Sequence, residues 1–184
     1  IQRFLLFQLT VNVTACLLVL CGAFMGTEAP LTVTQILWVN LIMDTFAAMA
    51  LASLPPTKDV MDDKPRQQSD FIINHSMVRG IMGIGVAMFA VMFIYLIHCF
   101  NTGGGMQTHE LSMFFTAFVM LQFWNLFNAK ALGTDHSAFR GLCHDKVLTG
   151  ILVAVFVGQW VIVTFGGKMF RTVPLSLLDW VYVV

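Results

Sequence analysis

The chain has 184 residues, of which 58% are hydrophobic and 11% charged, with a formal net charge of zero. Its mean hydropathy is +0.80. Soluble domains carry about 25% charged residues, so this composition excludes a soluble globular protein and makes the lipid bilayer the expected partner. No nucleic-acid partner is expected. The four cysteines, Cys16, Cys21, Cys99 and Cys143, show no CxxC spacing. That argues against a zinc site and against a disulfide framework.

Runs of 18 or more mostly apolar residues are long enough to cross a bilayer as helices. Five such runs are present, at about Phe4–Met25, Leu31–Leu54, Met77–Phe100, Leu111–Ala131 and Val147–Phe165. A sixth begins near Val173 and reaches the last residue as half a span. The expected fold class is therefore all-α, a polytopic transmembrane helix bundle. With no initiator Met and a short last run, residues 1–184 are expected to form one transmembrane domain from a longer protein.

The connecting segments fit this reading. Gly26–Pro30 is short, and Asn101–Thr108, with Gly103-Gly104-Gly105, reads as a turn. Pro55–Ser76 is the longest and most charged connector, suited to contact with another domain. Gly133–Lys146 and Gly166–Thr172 close the remaining gaps. With the first residue in the cytosol, Arg3, Lys58, Lys64, Arg66, Arg79, Lys130, Arg140 and Lys146 fall on the cytosolic side, against Lys168 and Arg171 outside. This bias obeys the positive-inside rule and predicts a cytosolic N-terminus. The glycines of Gly80-Ile-Met-Gly83-Ile-Gly85 and of Gly22-x-x-x-Gly26 read as helix-packing positions.

Asp44 is the sole Asp, Glu, Lys or Arg in Leu31–Leu54. A charge at mid-bilayer depth costs roughly 2.5–3.5 kcal/mol on insertion scales, so it marks an ion or proton site. Asn40 lies four residues earlier and projects from the same helix face. Polar residues in the other spans are few: Gln8, Thr10, Asn12 and Thr14 in the first, and Thr116, Gln122, Asn125 and Asn128 in the fourth. Spans one, two and four therefore offer Asn12, Asn40, Asp44, Gln122 and Asn125 to a shared interior point. The bland alternative is hydrogen-bonding between helices, at about 0.6 kcal/mol per contact.

All these candidates present oxygen. Hard cations such as Ca²⁺ take 6–8 oxygen ligands, including backbone carbonyls and water. Soft metals would call on sulfur, and the methionines here suit membrane packing. One carboxylate and two asparagines fall short of a complete Ca²⁺ site. Backbone carbonyls, water or a helix from elsewhere must complete it.

Several motifs carry a resemblance. Trp38-Val-Asn-Leu-Ile-Met-Asp44 with Pro55-Pro56 resembles the sixth transmembrane helix of calcium-transporting P-type ATPases. Gln8-Leu-Thr-Val-Asn12 resembles the fifth helix of the plasma-membrane type. Phe118-Val-Met-Leu-Gln122 through Asn125 and Asn128 is similar to the eighth, and Phe165-Gly-Gly-Lys168 to the loop before the tenth. The likeness covers essentially the whole chain in the expected order.

The resemblance implies that Asn40 and Asp44 are Ca²⁺ ligands, with Asn12 beside the site and Gln122 a weaker candidate. It also implies a partly unwound second span, the general device for offering carbonyls to an ion. Compared with the two-site reticulum pump, the fifth-helix glutamate is replaced by Ala15, the eighth-helix glutamate by Gln122 and the sixth-helix threonine by Met43. Those losses imply one Ca²⁺ per cycle. The phosphorylated Asp-Lys-Thr-Gly motif is not in the sequence, so no catalytic or cofactor-binding residue is assigned. ATP and Mg²⁺ would act through the missing N-terminal helices and cytosolic domains of the same polypeptide. The implied protein is an ATP-driven Ca²⁺ export pump in a plasma, bacterial inner or vacuolar membrane. The alternatives are a cation or proton channel or secondary carrier, and a structural remnant that transports nothing.

Overall fold

The computed structural model describes residues 2–26, 30–52, 75–103, 107–131 and 146–183. Among these every element is helical. In chain order they are α1 (Gln2–Phe24), α2 (Val33–Trp38), a π-helical segment (Val39–Met43), α3 (Asp44–Ala52), α4 (His75–Gly103), α5 (Thr108–Ala131), α6 (Lys146–Phe165), α7 (Gly167–Phe170) and α8 (Leu177–Val183). Five spans are long and apolar enough to cross a membrane: Gln2–Phe24, Val33–Ala52, Met77–Asn101, Thr108–Lys130 and Lys146–Phe165. The protein is an integral, multi-pass, all-α membrane protein.

The fourth span, α5, is the most buried of the five and touches α1, α4, α6 and α8. Phe114, Phe115, Phe118 and Val119 supply its core face. The first span, α1, packs on α4, α5 and α3 through Leu6, Phe7, Val11 and Leu18. Leu20 and Phe24 of α1 and Val86, Val91 and Ile94 of α4 are exposed. In hydrocarbon such faces carry no penalty, since lipid tails are as apolar as leucine.

Buried hydroxyls are satisfied along their own helices. Thr10 donates to Leu6 O, Thr14 to Thr10 O and Thr116 to Ser112 O, at 2.7–2.9 Å. The Thr14 hydroxyl also lies 3.2 Å from Gly85 O on α4. Gly80 and Gly85 do face α1, where an added Cβ would sit 3.5–3.6 Å from Leu6 or Val13, whereas Gly83 faces no neighbour within 4 Å. Gly26 is not a packing glycine. Its φ of +66° and its N–H bonded to Ala23 O at 3.1 Å make it the left-handed stop of α1, a role that suits a residue without Cβ.

Three connectors differ from expectation. The helix α4 starts at His75 and runs on to Gly103, into the predicted turn. The predicted loop Gly166–Thr172 contains α7. The last apolar run is helical over Leu177–Val183, because Pro174 cannot donate a helical hydrogen bond and holds its predecessor extended. This stretch is pinned through Val173 N–H to Ser112 Oγ (2.8 Å) and the Thr172 hydroxyl to Ile162 O (3.2 Å). Asp179 then caps α8 by accepting from Ser176 N–H (2.8 Å) and meets His109 of α5 at 3.1 Å. Most of the connector Pro55–Ser76, most of Gly133–Lys146 including Cys143, and Gly104-Gly105 lie outside the described residues.

Candidate cation site

The second span begins with a capping box. The Thr32 hydroxyl accepts from Gln35 N–H at 3.3 Å, and the Gln35 side-chain oxygen accepts from Thr32 N–H at 2.9 Å. This satisfies two donors that a helix start leaves without partners. The α-helix lasts only to Trp38 and gives way to the π-helical turn Val39–Met43, after which Asp44 opens α3. Residues 31–52 contain no Pro or Gly, so the interruption is the π segment itself. Such segments insert one residue into the helical ladder and concentrate at functional sites. The expected partial unwinding of the second span takes this form.

Asn40 lies inside the π segment and is half-buried. The i→i+5 repeat rotates each residue less than an α-helix does, so residues four apart stay on one side. The backbone thus keeps Asn40 and Asp44 in register, while the Asp44 side chain lies outside the described set. The Thr45 hydroxyl donates back to Leu41 O, one of the π-segment carbonyls. A hydroxyl returning to the carbonyl four residues earlier competes with the backbone ladder, so Thr45 tempers the disturbance there.

Of the polar residues of the first and fourth spans, Asn125 bridges α1 and α5. Asn125 is 1% exposed and donates from Nδ2 to Phe7 O on α1 at 3.2 Å. Gln122, fully buried, donates from Nε2 to Phe118 O on its own helix at 3.2 Å. Gln122 Oε1 and Asn125 Oδ1 have no partner. Two buried amide oxygens three residues apart share one helix face. Each costs free energy until a water, an ion or a donor reaches it. Asn12 is half-buried on α1. Asn128, by contrast, is exposed, and with Asn125 and Gly83 it lines a groove of about 350 Å³ between α4 and α5.

The arrangement therefore unites α1 and α5 through Asn125, packs α3 against α1, and leaves Gln122 bonded within its own helix. It offers neutral amide oxygens on α5 and, on a separate span, a backbone interruption that contains Asn40. Among the described residues no group of three or more His, Cys, Asp or Glu could hold a metal ion.

Reading the sequence for polar residues passes over one more glutamine. Gln159 of α6 is fully buried and accepts from Trp38 Nε1 at 3.2 Å. A lone glutamine inside Lys146–Phe165 is the signal that marks it. Likewise, Thr32-Val-Thr-Gln35 spells the capping box directly.

Comparison with known proteins accords with this architecture. The family model described as "Cation transporting ATPase, C-terminus" matches residues 28–184. The plasma membrane calcium-transporting ATPase 2 of Oreochromis mossambicus is 37% identical over 100% of this chain and 17% of its own length. Human plasma membrane calcium-transporting ATPase 3 is 36% identical over 99% of this chain and 16% of its own. The Caenorhabditis elegans plasma membrane calcium-transporting ATPase mca-1 is 34% identical over 98% and 15% respectively. The chain thus spans about one-sixth of the length of these curated relatives. With a helical membrane bundle whose second span breaks beside Asn40 and a family match over most of its length, the chain belongs to the cation-transporting ATPase C-terminal family.

Proposed function

We propose that residues 1–184 form the ion-binding transmembrane domain of an ATP-driven Ca²⁺ export pump of the plasma-membrane type, an enzyme that couples ATP hydrolysis to transport. The observation that carries this reading is the π-helical segment Val39–Met43, which contains Asn40 and ends at Asp44. It sets Asn40 inside, and the backbone of Asp44 directly after, a shifted carbonyl ladder, and an amide, a carboxylate and backbone oxygen are the ligand types an oxygen-seeking cation takes. The names of the relatives supply the ion.

In this proposal Asp44 and Asn40 are ligands and Asn12 lines the site. Gln122 serves as an outer oxygen that orients water, because its amide N–H is already given to Phe118 O. Neutral residues at Ala15, Gln122 and Met43 leave one carboxylate among these positions, which supports one Ca²⁺ per cycle. Proton countertransport through the same carboxylate belongs to this proposal. The remaining ligands, the ATP and Mg²⁺ sites and the phosphorylated aspartate would belong to other parts of the same polypeptide. The connector around Lys58–Arg66 would touch the phosphorylating domain from the cytosolic side, the side of the N-terminus.

The test is Ca²⁺-dependent ATP hydrolysis by the full-length pump in vesicles, comparing wild type with Asp44→Asn. The expected result is activity that needs Ca²⁺ and that, in the variant, collapses or moves to far higher Ca²⁺. An unchanged Ca²⁺ dependence in a folded variant would remove Asp44 from the site.

A further inference from the structure

The first part of the second span, α2, is held by α6 and α7. Two buried glutamines, Gln35 on α2 and Gln159 on α6, make the connections. Gln35, 1% exposed, donates from Nε2 to Phe170 O at the end of α7, at 2.7 Å. Trp38, the last α-helical residue before the π segment, donates from its indole N–H to Gln159 Oε1 on α6 at 3.2 Å. The indole also approaches α6 closely at Gly158. A Cβ added at Gly158 would sit 3.1–3.2 Å from the Trp38 ring carbons, closer than an ordinary van der Waals contact. Gly158 is thus the cradle that admits the ring, and Gln159 beside it is the acceptor that fixes the ring's rotation.

The position of this clamp decides its consequence. A π segment costs more than continuous α-helix and persists only where its surroundings hold it. Below it, α3 packs against α1 and α6. Above it, α2 is tied to α6 and α7 by the two bonds just described. Both flanks of Val39–Met43 therefore meet one neighbour, the fifth span. Asn40 follows Trp38 by two residues, so a turn of the indole is transmitted to the amide through a single intervening residue. Gln159 Oε1 gives one of its lone pairs to the indole N–H, which makes holding Trp38 its observed role.

We propose that Gly158 and Gln159 are positioning residues for ion binding: by seating Trp38 they set the orientation of the π segment and hence of Asn40. This rests on the ion-site reading of Asn40 and Asp44. Loss of the indole–amide bond raises the Ca²⁺ concentration needed for half-maximal activity while leaving the maximal rate and the folded protein intact.

The experiment uses the full-length pump in detergent and in vesicles. Gln159→Met keeps size and removes the acceptor. Gln159→Glu keeps an acceptor oxygen in either protonation state. Trp38→Phe removes the donor, and Trp38→Phe/Gln159→Met removes both. Gln159→Met is expected to raise half-activating Ca²⁺ about fivefold, the equivalent of ~1 kcal/mol, a typical value for one hydrogen bond. Gln159→Glu should restore the wild-type curve, and the double variant should be no worse than the worse single one. Melting temperature in chelator reports folding independently of Ca²⁺ and should stay at the wild-type value.

An unmoved Ca²⁺ curve for Gln159→Met, additive effects in the double variant, or a lowered maximal rate with unaltered half-activation would each overturn the inference. So would a melting temperature that falls in step with the Ca²⁺ shift. Asp44→Asn run alongside separates the two levels. If it moves the curve and Gln159→Met does not, only the positioning role fails. If Asp44→Asn leaves the curve unmoved, the ion-site reading falls and this inference falls with it.

Discussion

The second and fourth spans invite comparison because both carry polar residues into an apolar interior and handle them differently. The fourth, α5, is an unbroken helix of 24 residues at the centre of the bundle. Its Thr116, Gln122 and Asn125 spend their donors on backbone carbonyls of α5 or α1. The second span is divided into α2, a π turn and α3, and its first part is tied by Gln35 to α7 and by Trp38 to α6. The difference teaches that polar residues in a membrane helix can serve either of two backbones, continuous or interrupted. On the continuous helix the amides bond to backbone carbonyls of their own or a neighbouring helix, whereas the π turn shifts the backbone hydrogen-bond register around Asn40.

The comparison can be broken or sharpened by substitutions in the full-length protein. The largest effect is expected from Asp44→Asn. Removing the charge should raise half-activating Ca²⁺ by about two orders of magnitude, since bonds to charged groups contribute up to ~3 kcal/mol. A shift below tenfold in ATPase titrations would place the second span on a level with the fourth. Asn40→Ala comes next, with about a tenfold loss of apparent affinity, ~1.4 kcal/mol, and little change in melting temperature. Equal losses in affinity and stability would make Asn40 a helix tie like Asn125.

Thr45→Val tests the backbone part of the argument. It removes the hydroxyl from Leu41 O without changing shape, and should alter half-activating Ca²⁺ by about threefold to fivefold, within the ~1 kcal/mol of one hydrogen bond. No change would mean that the π-segment carbonyls play no part in binding. The smallest effect is expected in the fourth span. Asn125→Leu removes one interhelical bond and one unsatisfied oxygen together, so stability in chelator should move by no more than about 0.6 kcal/mol. A Ca²⁺ shift of tenfold for that variant would show that the orphan oxygens of α5 serve the ion and would erase the contrast.

A good part of this was legible in the sequence because hydropathy along the chain directly reports burial in lipid. The five spans follow from apolar runs, and their ends agree within a few residues. Asp44 and Asn40 stood out because polar groups are rare where their solvation is costly. Other features left little trace. Gly26 resembles a packing glycine in sequence, but its backbone angle makes it a terminator. Gly83 and Gly85 read alike, yet only Gly85 meets α1. Gln159 acquires meaning only once Trp38, 121 residues away in the chain, is found beside it.

The sequence by itself determined that this is a membrane bundle, how many full spans it has and which residues carry oxygen into them. Those properties depend on composition over about 20 consecutive residues, a local quantity. Only the tertiary structure decided where the second span breaks. No proline or glycine marks the place. The π turn sits between contacts made by distant parts of the chain, with α6 and α7 gripping α2 above and α1 and α6 receiving α3 below. A local sequence specifies a helix there, and the packing of its two ends specifies that the helix be interrupted.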